Sequence, residues 1–145
     1  SYNSTQTLGA NEHAIGWSSS DTNTHAKAVR LHNVTLSGSG FANNLHNGQN
    51  FGKITVPVAG IYYVFCTIRM ENNPVAGNLY LNVDGTRVDR QHVEMWDTEP
   101  FMHARIAHIL NLQANSYIIW SVNCNTGQVS GINDKVNWTG GYLIG

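Results

Sequence analysis

The sequence has few charges, no long apolar run and no collagen-like repeat, and each of these shortages excludes a class of structure or partner. Only 12% of the 145 residues are charged and the net charge is −1, so no footprint for nucleic acid or an anionic membrane is expected. The longest weakly polar run, Val56 to Ile68, is too short to cross a bilayer. No Gly-X-Y repeat is present, which excludes a collagen triple helix within this sequence.

Strand patterns are what the sequence does contain, and the clearest lie on either side of residues 57–60, the P-V-A-G corner. Before the corner, Ile54, Val56 and Val58 alternate with other residues at the period of two that is typical of a half-buried strand. After it, the aromatic and β-branched run from residue 61 to 70 predicts a strand covered on both faces. Gly60 is expected to supply a backbone conformation that a side chain would resist.

Further strands are predicted along the rest of the chain. The first spans 26–36 with a break near residues 32–33, and Asp84-Gly85 predicts a type I′ hairpin. Strands are also expected over 117–122 and 136–144. Residues 1–25 are polar, with one short strand expected around Ala14 to Trp17.

One segment fits two structures equally well. The apolar residues between 102 and 113 match helical spacing, and Thr98-Glu99-Pro100 could begin a helix. The even-numbered residues from Met102 to Leu112 equally match one face of a strand. With at least seven short strands elsewhere, a β-sandwich is the predicted architecture.

Three sequence blocks resemble C1q-like domains of the C1q and tumour-necrosis-factor superfamily. The residues around the P-V-A-G corner are similar to the family block T-x-P-V-x-G-x-Y-Y-F. Residues 79–85, L-Y-L-N-V-D-G, resemble its strand ending in N-G or D-G, and residues 138–145, W-T-G-G-Y-L-I-G, resemble its closing strand. The resemblance implies an all-β, ten-stranded jelly-roll sandwich of two antiparallel sheets, and it favours a strand over 102–112. It covers residues 26–145, leaving 1–25 as an N-terminal extension or a lead-in from a stalk.

Several residues take structural roles by this resemblance. Relatives bury one sheet face at a three-fold axis, so aromatic residues are expected in the core or in a homotrimer contact. By motif position or as aromatics, the candidates are Gly60, Tyr62, Tyr63, Tyr80, Trp120, Trp138, Gly140 and Tyr142. The 138–142 segment has one residue more than the family pattern, which predicts a glycine bulge there. The resemblance also places Cys66 and Cys124 in opposite sheets, which predicts two free buried thiols.

No catalytic constellation is found, and the protein is expected not to be an enzyme. The H-E-x-x-H arrangement is missing, and His103 and His108 have opposite parity on a strand, so they face opposite ways. No cofactor is expected. Calcium stays open, because some relatives bind it near the trimer apex, although the sequence has no D-x-D-x-D-G loop.

A carbohydrate site is the one ligand hypothesis that the sequence offers. An exposed Trp96 would stack on a sugar face, and Asp97 and Glu99 would accept hydrogen bonds from its hydroxyls. The alternative is that Trp96 folds over the sandwich edge as part of the core.

The predicted function is therefore that of a non-enzymatic trimeric binding head. The resemblance, the Asn-rich loops and the missing collagen repeat favour the tip or surface domain of a phage fibre-like protein, which attaches to host-surface glycans by multivalent contact. Its location is predicted as the virion surface or extracellular. A secreted animal C1q-domain lectin-like protein of immune recognition and a purely structural virion decoration or trimerisation domain remain as alternatives.

Overall fold

The computed structural model of the chain describes residues 6–7, 12–15, 29–31, 35–37, 53–71, 76–94, 101–124, 128–129 and 138–145. All regular structure in these residues is β-strand, which confirms the all-β prediction. Over the same residues, no helix of a length and apolarity suited to crossing a membrane is found.

Twelve strands are described, some only two or three residues long. Their bounds are β1 Gln6–Thr7, β2 His13–Ala14, β3 Val29–Leu31, β4 Thr35–Ser37, β5 Lys53–Thr55, β6 Gly60–Glu71, β7 Ala76–Val83, β8 Thr86–Glu94, β9 Phe101–Leu112, β10 Tyr117–Cys124, β11 Gln128–Val129 and β12 Trp138–Leu143. The ambiguous segment is strand β9, as the resemblance favoured. The count differs from the predicted ten because two-residue strands such as β1 and β2 add to the main ones.

The strands form the two layers of a jelly-roll sandwich. In sheet A, β6 is central, with β9 on one side and both β12 and β11 on the other; β3 lies beyond β12, and β1 beyond β11. In sheet B, β7 lies between β8 and β10, and the other side of β10 is shared by β5 and β2, with β4 beyond β5. All pairings are antiparallel except that of β3 with β12.

The core lies between the sheets and contains alternate residues of their strands. The even-numbered residues of β6, from Tyr62 to Met70, point inward, as do most even-numbered residues of β9 and β10. The prediction that both faces of β6 are covered is wrong within one chain, because only its inward face packs in the core: Ile61 is 44% exposed, and Tyr63 and Phe65 are half-buried. Among the described side chains, Trp120 on β10 is the largest that is fully buried. Cys66 and Cys124 are buried thiols that form no disulfide, one in each sheet, as the resemblance implied. The predicted 26–36 strand is two strands, β3 in sheet A and β4 in sheet B, which is consistent with the expected break.

The P-V-A-G corner lies beside the last residues of the sequence. The Ile61 amide donates to the Gly145 carbonyl at 2.6 Å, and the Ile144 amide donates to the Ile61 carbonyl at 2.7 Å. Within the corner, the Tyr62 hydroxyl donates to the Val58 carbonyl at 2.9 Å. The buried Tyr62 therefore stabilises the corner through its hydroxyl. This contact gives a physical reason why a tyrosine stands two residues after Gly60 in the motif.

The reason predicted for Gly60 is wrong. Its φ is not positive, so no left-handed conformation requires glycine. A Cβ at Gly60 would instead stand 2.5 Å from Leu143 Cδ1 and 2.8 Å from the Gly145 carbonyl oxygen. Close approach of the closing strand, rather than a special backbone angle, excludes a side chain here.

Replacing Tyr62 by Phe tests the hydrogen bond at the corner. Tyr62→Phe keeps the ring in the core but removes the donor to Val58, so the free energy of unfolding should fall by about 1 kcal/mol. Urea unfolding should show a lower midpoint with an unchanged slope. Equal midpoints for the wild type and the variant would mean that the hydroxyl does not stabilise the corner.

Two turns carry the positive φ that their sequences predict. Asp84 and Gly85 have φ of 49° and 81°, and two successive positive values are what a type I′ hairpin requires. Asn115 has φ of 68°, which confirms that Asn supplies this conformation in the turn between β9 and β10.

The bulge predicted in the last strand is wrong. β12 pairs with β6 residue by residue from Trp138–Thr67 to Leu143–Tyr62, without a shift. The glycine is needed at Gly141 because a Cβ there would stand 2.7 Å from the Tyr63 carbonyl oxygen. The irregularity lies instead between β7 and β8, where the register shifts between Leu81 and Asn82.

Candidate functional site

The outer face of sheet A carries aromatic and aliphatic side chains in cross-strand rows. Directly paired residues on antiparallel strands share a face, so the registers of β9, β6 and β12 define these rows. The first three rows are Asn111–Ile61–Ile144, Ile109–Tyr63–Tyr142 and Ala107–Phe65–Gly140. We call these residues the aromatic face.

Its aromatic rings form one contiguous cluster that is partly open to solvent. The Tyr63 ring lies 5.5 Å from that of Tyr142 and 5.8 Å from that of Phe65, centroid to centroid, and both pairs are tilted. These are separations at which aromatic rings attract each other. Tyr142 is 52% exposed and Ile109 is 61% exposed. Large exposed apolar patches are often interaction surfaces, so the aromatic face is the candidate interaction surface of this chain.

The outer face of sheet A becomes polar toward the end of the strands that lies away from the P-V-A-G corner. The next two pairs are Arg105–Thr67 and His103–Arg69. Arg105 and His103 are exposed, so a polar and basic region follows the aromatic face. The apolar rows therefore lie at the end of the sheet that includes the P-V-A-G corner.

The outer face of sheet B carries a polar network around Glu12. The Glu12 carboxylate accepts hydrogen bonds from Arg87, from the Ser121 hydroxyl and, at 3.4 Å, from Asn82 Nδ2. Asn82 also donates to Ser121 Oγ at 2.8 Å. The Arg87 guanidinium lies 4.0 Å from the centroid of the Tyr80 ring, a distance suited to a cation–π contact. We call Arg87, Asn82 and Ser121 the carboxylate cradle.

The network continues from Tyr80 to the end of β8. The Tyr80 hydroxyl and Asn78 Nδ2 both donate to Asn123 Oδ1, at 3.3 and 2.9 Å. The His92 ring contacts Asn78 Oδ1 through Nδ1 and Glu94 Oε1 through Nε2, at 2.8 and 3.0 Å. A chain of polar contacts therefore crosses three strands of sheet B.

The β8 bulge is what brings Arg87 to this face. Arg90 and His92 pair with outward-facing residues of β7, so the even-numbered residues of this part of β8 face outward. If β8 were regular, its odd-numbered residues, including Arg87, would face the core. At the bulge the pairing passes from Leu81–Asp89 to Asn82–Arg87 and leaves out Val88. The extra residue reverses the alternation, and Arg87 thereby joins Asn82 on the outer face.

The residues predicted as core or trimer contacts take several different places. Tyr62 and Trp120 are buried in the core, Tyr63 is half-buried and Tyr142 exposed on the aromatic face, and Gly140 lies opposite Phe65. Gly60 lies against the closing strand, and the backbone of Trp138 pairs with Thr67. Tyr80 faces outward as its parity predicts, yet it is buried beneath Arg87. The predicted ligand residues Trp96, Asp97 and Glu99 lie outside the described residues.

No described side chains form a cluster of three or more potential metal ligands. Burial raises the pKa of the Cys66 thiol well above its usual value because the core desolvates the thiolate. Cys66 is therefore held as a neutral thiol, and it behaves as a small apolar core residue.

Comparison with known proteins identifies the architecture. No protein-family model matches the sequence, and no curated protein matches it. Among solved structures, the chain is similar to Eiger TNF from S. frugiperda, with a TM-score of 0.53 over 90% of this chain and 89% of that one. The chain has a TNF/C1q-like jelly-roll fold. Sequence identity is 14%, so the likeness concerns the fold alone.

No sequence pattern predicted the carboxylate cradle or its contact with Glu12. Glu12 lies 70 residues from Asn82 and 109 residues from Ser121 in the sequence. No local period links them. One sequence signal for a polar contact on this face was available. Asn78, Tyr80 and Asn82 alternate on the outward side of β7, but nothing local links them to Glu12, which is more than 60 residues earlier in the sequence.

Proposed function

We propose that this protein is a non-enzymatic homotrimeric binding head, the tip or surface domain of a phage fibre-like protein that attaches to host-surface glycans. The observation that carries the trimer is the partly exposed aromatic face on a TNF/C1q-like jelly roll. The attachment role rests on the sequence resemblance to C1q-like domains and on the low charge of the chain.

The aromatic face suits self-association better than exposure to water. Its three rows present apolar side chains on adjacent strands, and aromatic residues bury large areas with little loss of conformational entropy. Ile61 and Ile144, both exposed, extend the apolar surface toward the corner. Three identical copies around one axis would cover this surface in all of them, because a closed ring leaves no copy of the patch unpaired.

Light scattering tests the trimer directly. The isolated protein should have three times the 16.0 kDa mass of one chain at micromolar concentration. Ile109→Lys places a charge in the middle row of the aromatic face, so this variant should have the mass of a single chain. Circular dichroism of the variant should remain that of the β-sandwich, because the Ile109 side chain makes little contact with its own core.

Val88→Lys is the matched control. Val88 is 41% exposed on the bulge of β8 in sheet B, away from the aromatic face, so this variant should keep the trimer mass. A wild-type protein with the mass of one chain would overturn the proposal. A trimer that persists in Ile109→Lys would show that another surface holds the three copies.

Attachment through glycans is proposed to involve Trp96, Asp97 and Glu99, which follow β8 in the sequence. Binding of the isolated protein to a glycan array or to host cells would support attachment over a structural role. Trp96→Ala should abolish binding while leaving the mass unchanged. Ile109→Lys should weaken binding to multivalent surfaces by about 10²-fold or more, because a single chain loses avidity.

A further inference from the structure

We propose that residues 6–7 and 12–15 act together as one latch that closes an end of the sandwich, with the Glu12 carboxylate holding it in place. β1 pairs with β11 in sheet A, through Gln6–Val129 and Thr7–Gln128. β2 pairs with β10 in sheet B, through His13–Val122 and Ala14–Ser121. The latch thus contacts both layers.

The two short pairings share one register. In all four pairs the two residue numbers add up to 135, and the backbone bond from the Ile15 amide to the Trp120 carbonyl, at 2.9 Å, obeys the same rule. Five residues separate Thr7 from His13, and five separate Val122 from Gln128, so the offset between the paired segments is the same in both sheets.

Two apolar side chains hold the latch at its sheet B end. Ile15 is buried in the main core, and Ala14 is buried against Ile119 and Tyr117 on the outer face. Successive strand residues point to opposite faces. The latch therefore packs against both faces of sheet B beside β10.

The carboxylate cradle binds the Glu12 side chain of the latch. The Glu12 side chain is 19% exposed, and it accepts from donors on three strands: Arg87 on β8, Asn82 on β7 and Ser121 on β10. Asn82 and Ser121 are themselves buried, so loss of the carboxylate would leave them short of an acceptor. Closing of the latch thus depends on the bulge that places Arg87.

An open latch would leave the latch side of β10 and β11 without a partner strand. Unpaired strand edges pair with other chains, so the latch protects the molecule against edge-to-edge association. Its described residues are joined by two residue pairs in each sheet and by the Ile15–Trp120 backbone bond in sheet B. We expect a segment held by so few bonds to open before the rest of the fold.

Hydrogen exchange of the full chain, followed by mass spectrometry, tests this coupling. Glu12→Gln keeps the side-chain shape but removes the charge held by Arg87. Peptides covering 6–15 and 121–129 should exchange faster together, by about tenfold, whereas peptides from the central parts of β6 and β9 should be unchanged. Glu94→Gln, which removes an exposed carboxylate of the same face, is the control and should leave the latch peptides as in the wild type.

Arg87→Gln should reproduce the Glu12→Gln pattern, and the double variant should add little to either, because both changes remove the same contact. Faster exchange at residues 12–15 alone, with 6–7 and 128–129 unchanged, would overturn the single latch. A uniform increase over all peptides would show that Glu12 stabilises the whole fold rather than closing a separate unit.

Discussion

Trp120→Ala should destabilise the protein more than any other single truncation proposed here. Trp120 is 1% exposed and is the largest of the described side chains that are fully buried, in the middle of β10. β10 pairs with β7 from Ile118 to Cys124 and with both β5 and β2 on its other side. Removing the indole leaves a cavity between the sheets, and the expected cost is about 3–5 kcal/mol.

Thermal unfolding followed by circular dichroism measures this effect. For a chain of this size the melting temperature should fall on the order of 15 °C. Trp120→Phe, which fills much of the same volume, should fall between the wild type and the alanine variant. Val88→Ala, at an exposed position of β8, should melt within a few degrees of the wild type. A wild-type melting temperature for Trp120→Ala would contradict the placement of the indole in the core.

Gly141→Ala should destabilise the closing strand. Its Cβ would stand 2.7 Å from the Tyr63 carbonyl oxygen and 3.2 Å from Val64 Cγ1. The first of these is a backbone atom of β6, the central strand of sheet A, so it cannot move aside as a flexible side chain could. We expect a loss of about 1–3 kcal/mol as β12 is pushed away from β6.

Gly145→Ala is the matched control for this prediction. A Cβ at Gly145 meets nothing within 4 Å, so the midpoint of urea unfolding should stay at the wild-type value. The displacement of β12 should also disturb the aromatic face, since Tyr142 follows Gly141 directly. Light scattering should therefore show weaker trimerisation for Gly141→Ala than for Gly145→Ala. Equal stability of the two variants would mean that β12 adapts to the added methyl group.

The two outer faces of the sandwich have different consequences for function. On sheet A most outward side chains of the three rows are aromatic or aliphatic, and we propose that identical copies cover them. On sheet B the outward side chains of Asn82, Ser121 and Tyr80 are already covered within the chain, by Glu12 and Arg87. The aromatic face and the carboxylate cradle therefore lie on opposite layers, and separate variants can test each of them.

Most strands and the turns were determined by the sequence alone, because their signals are local. Alternation at a period of two predicted the strand before the P-V-A-G corner, an aromatic and β-branched run predicted β6, and Asp84-Gly85 predicted its hairpin, since each pattern involves only neighbouring residues. Three family-like blocks were enough to predict the two-layer jelly roll. The segment now seen as β9 needed the resemblance, because its apolar residues fit a helix and a strand equally.

Only the tertiary structure decided the roles of Gly60, Gly141, Arg87 and Glu12. Gly60 and Gly141 are required by the close approach of β12 to β6, strands that are more than 60 residues apart in the sequence. Arg87 reaches the outer face through a bulge that no local pattern predicted, and Glu12 finds its partners across the whole chain. Alternation along a strand assigns a side chain to a face, but what covers that face depends on contacts between distant segments, which sequence periodicity does not contain.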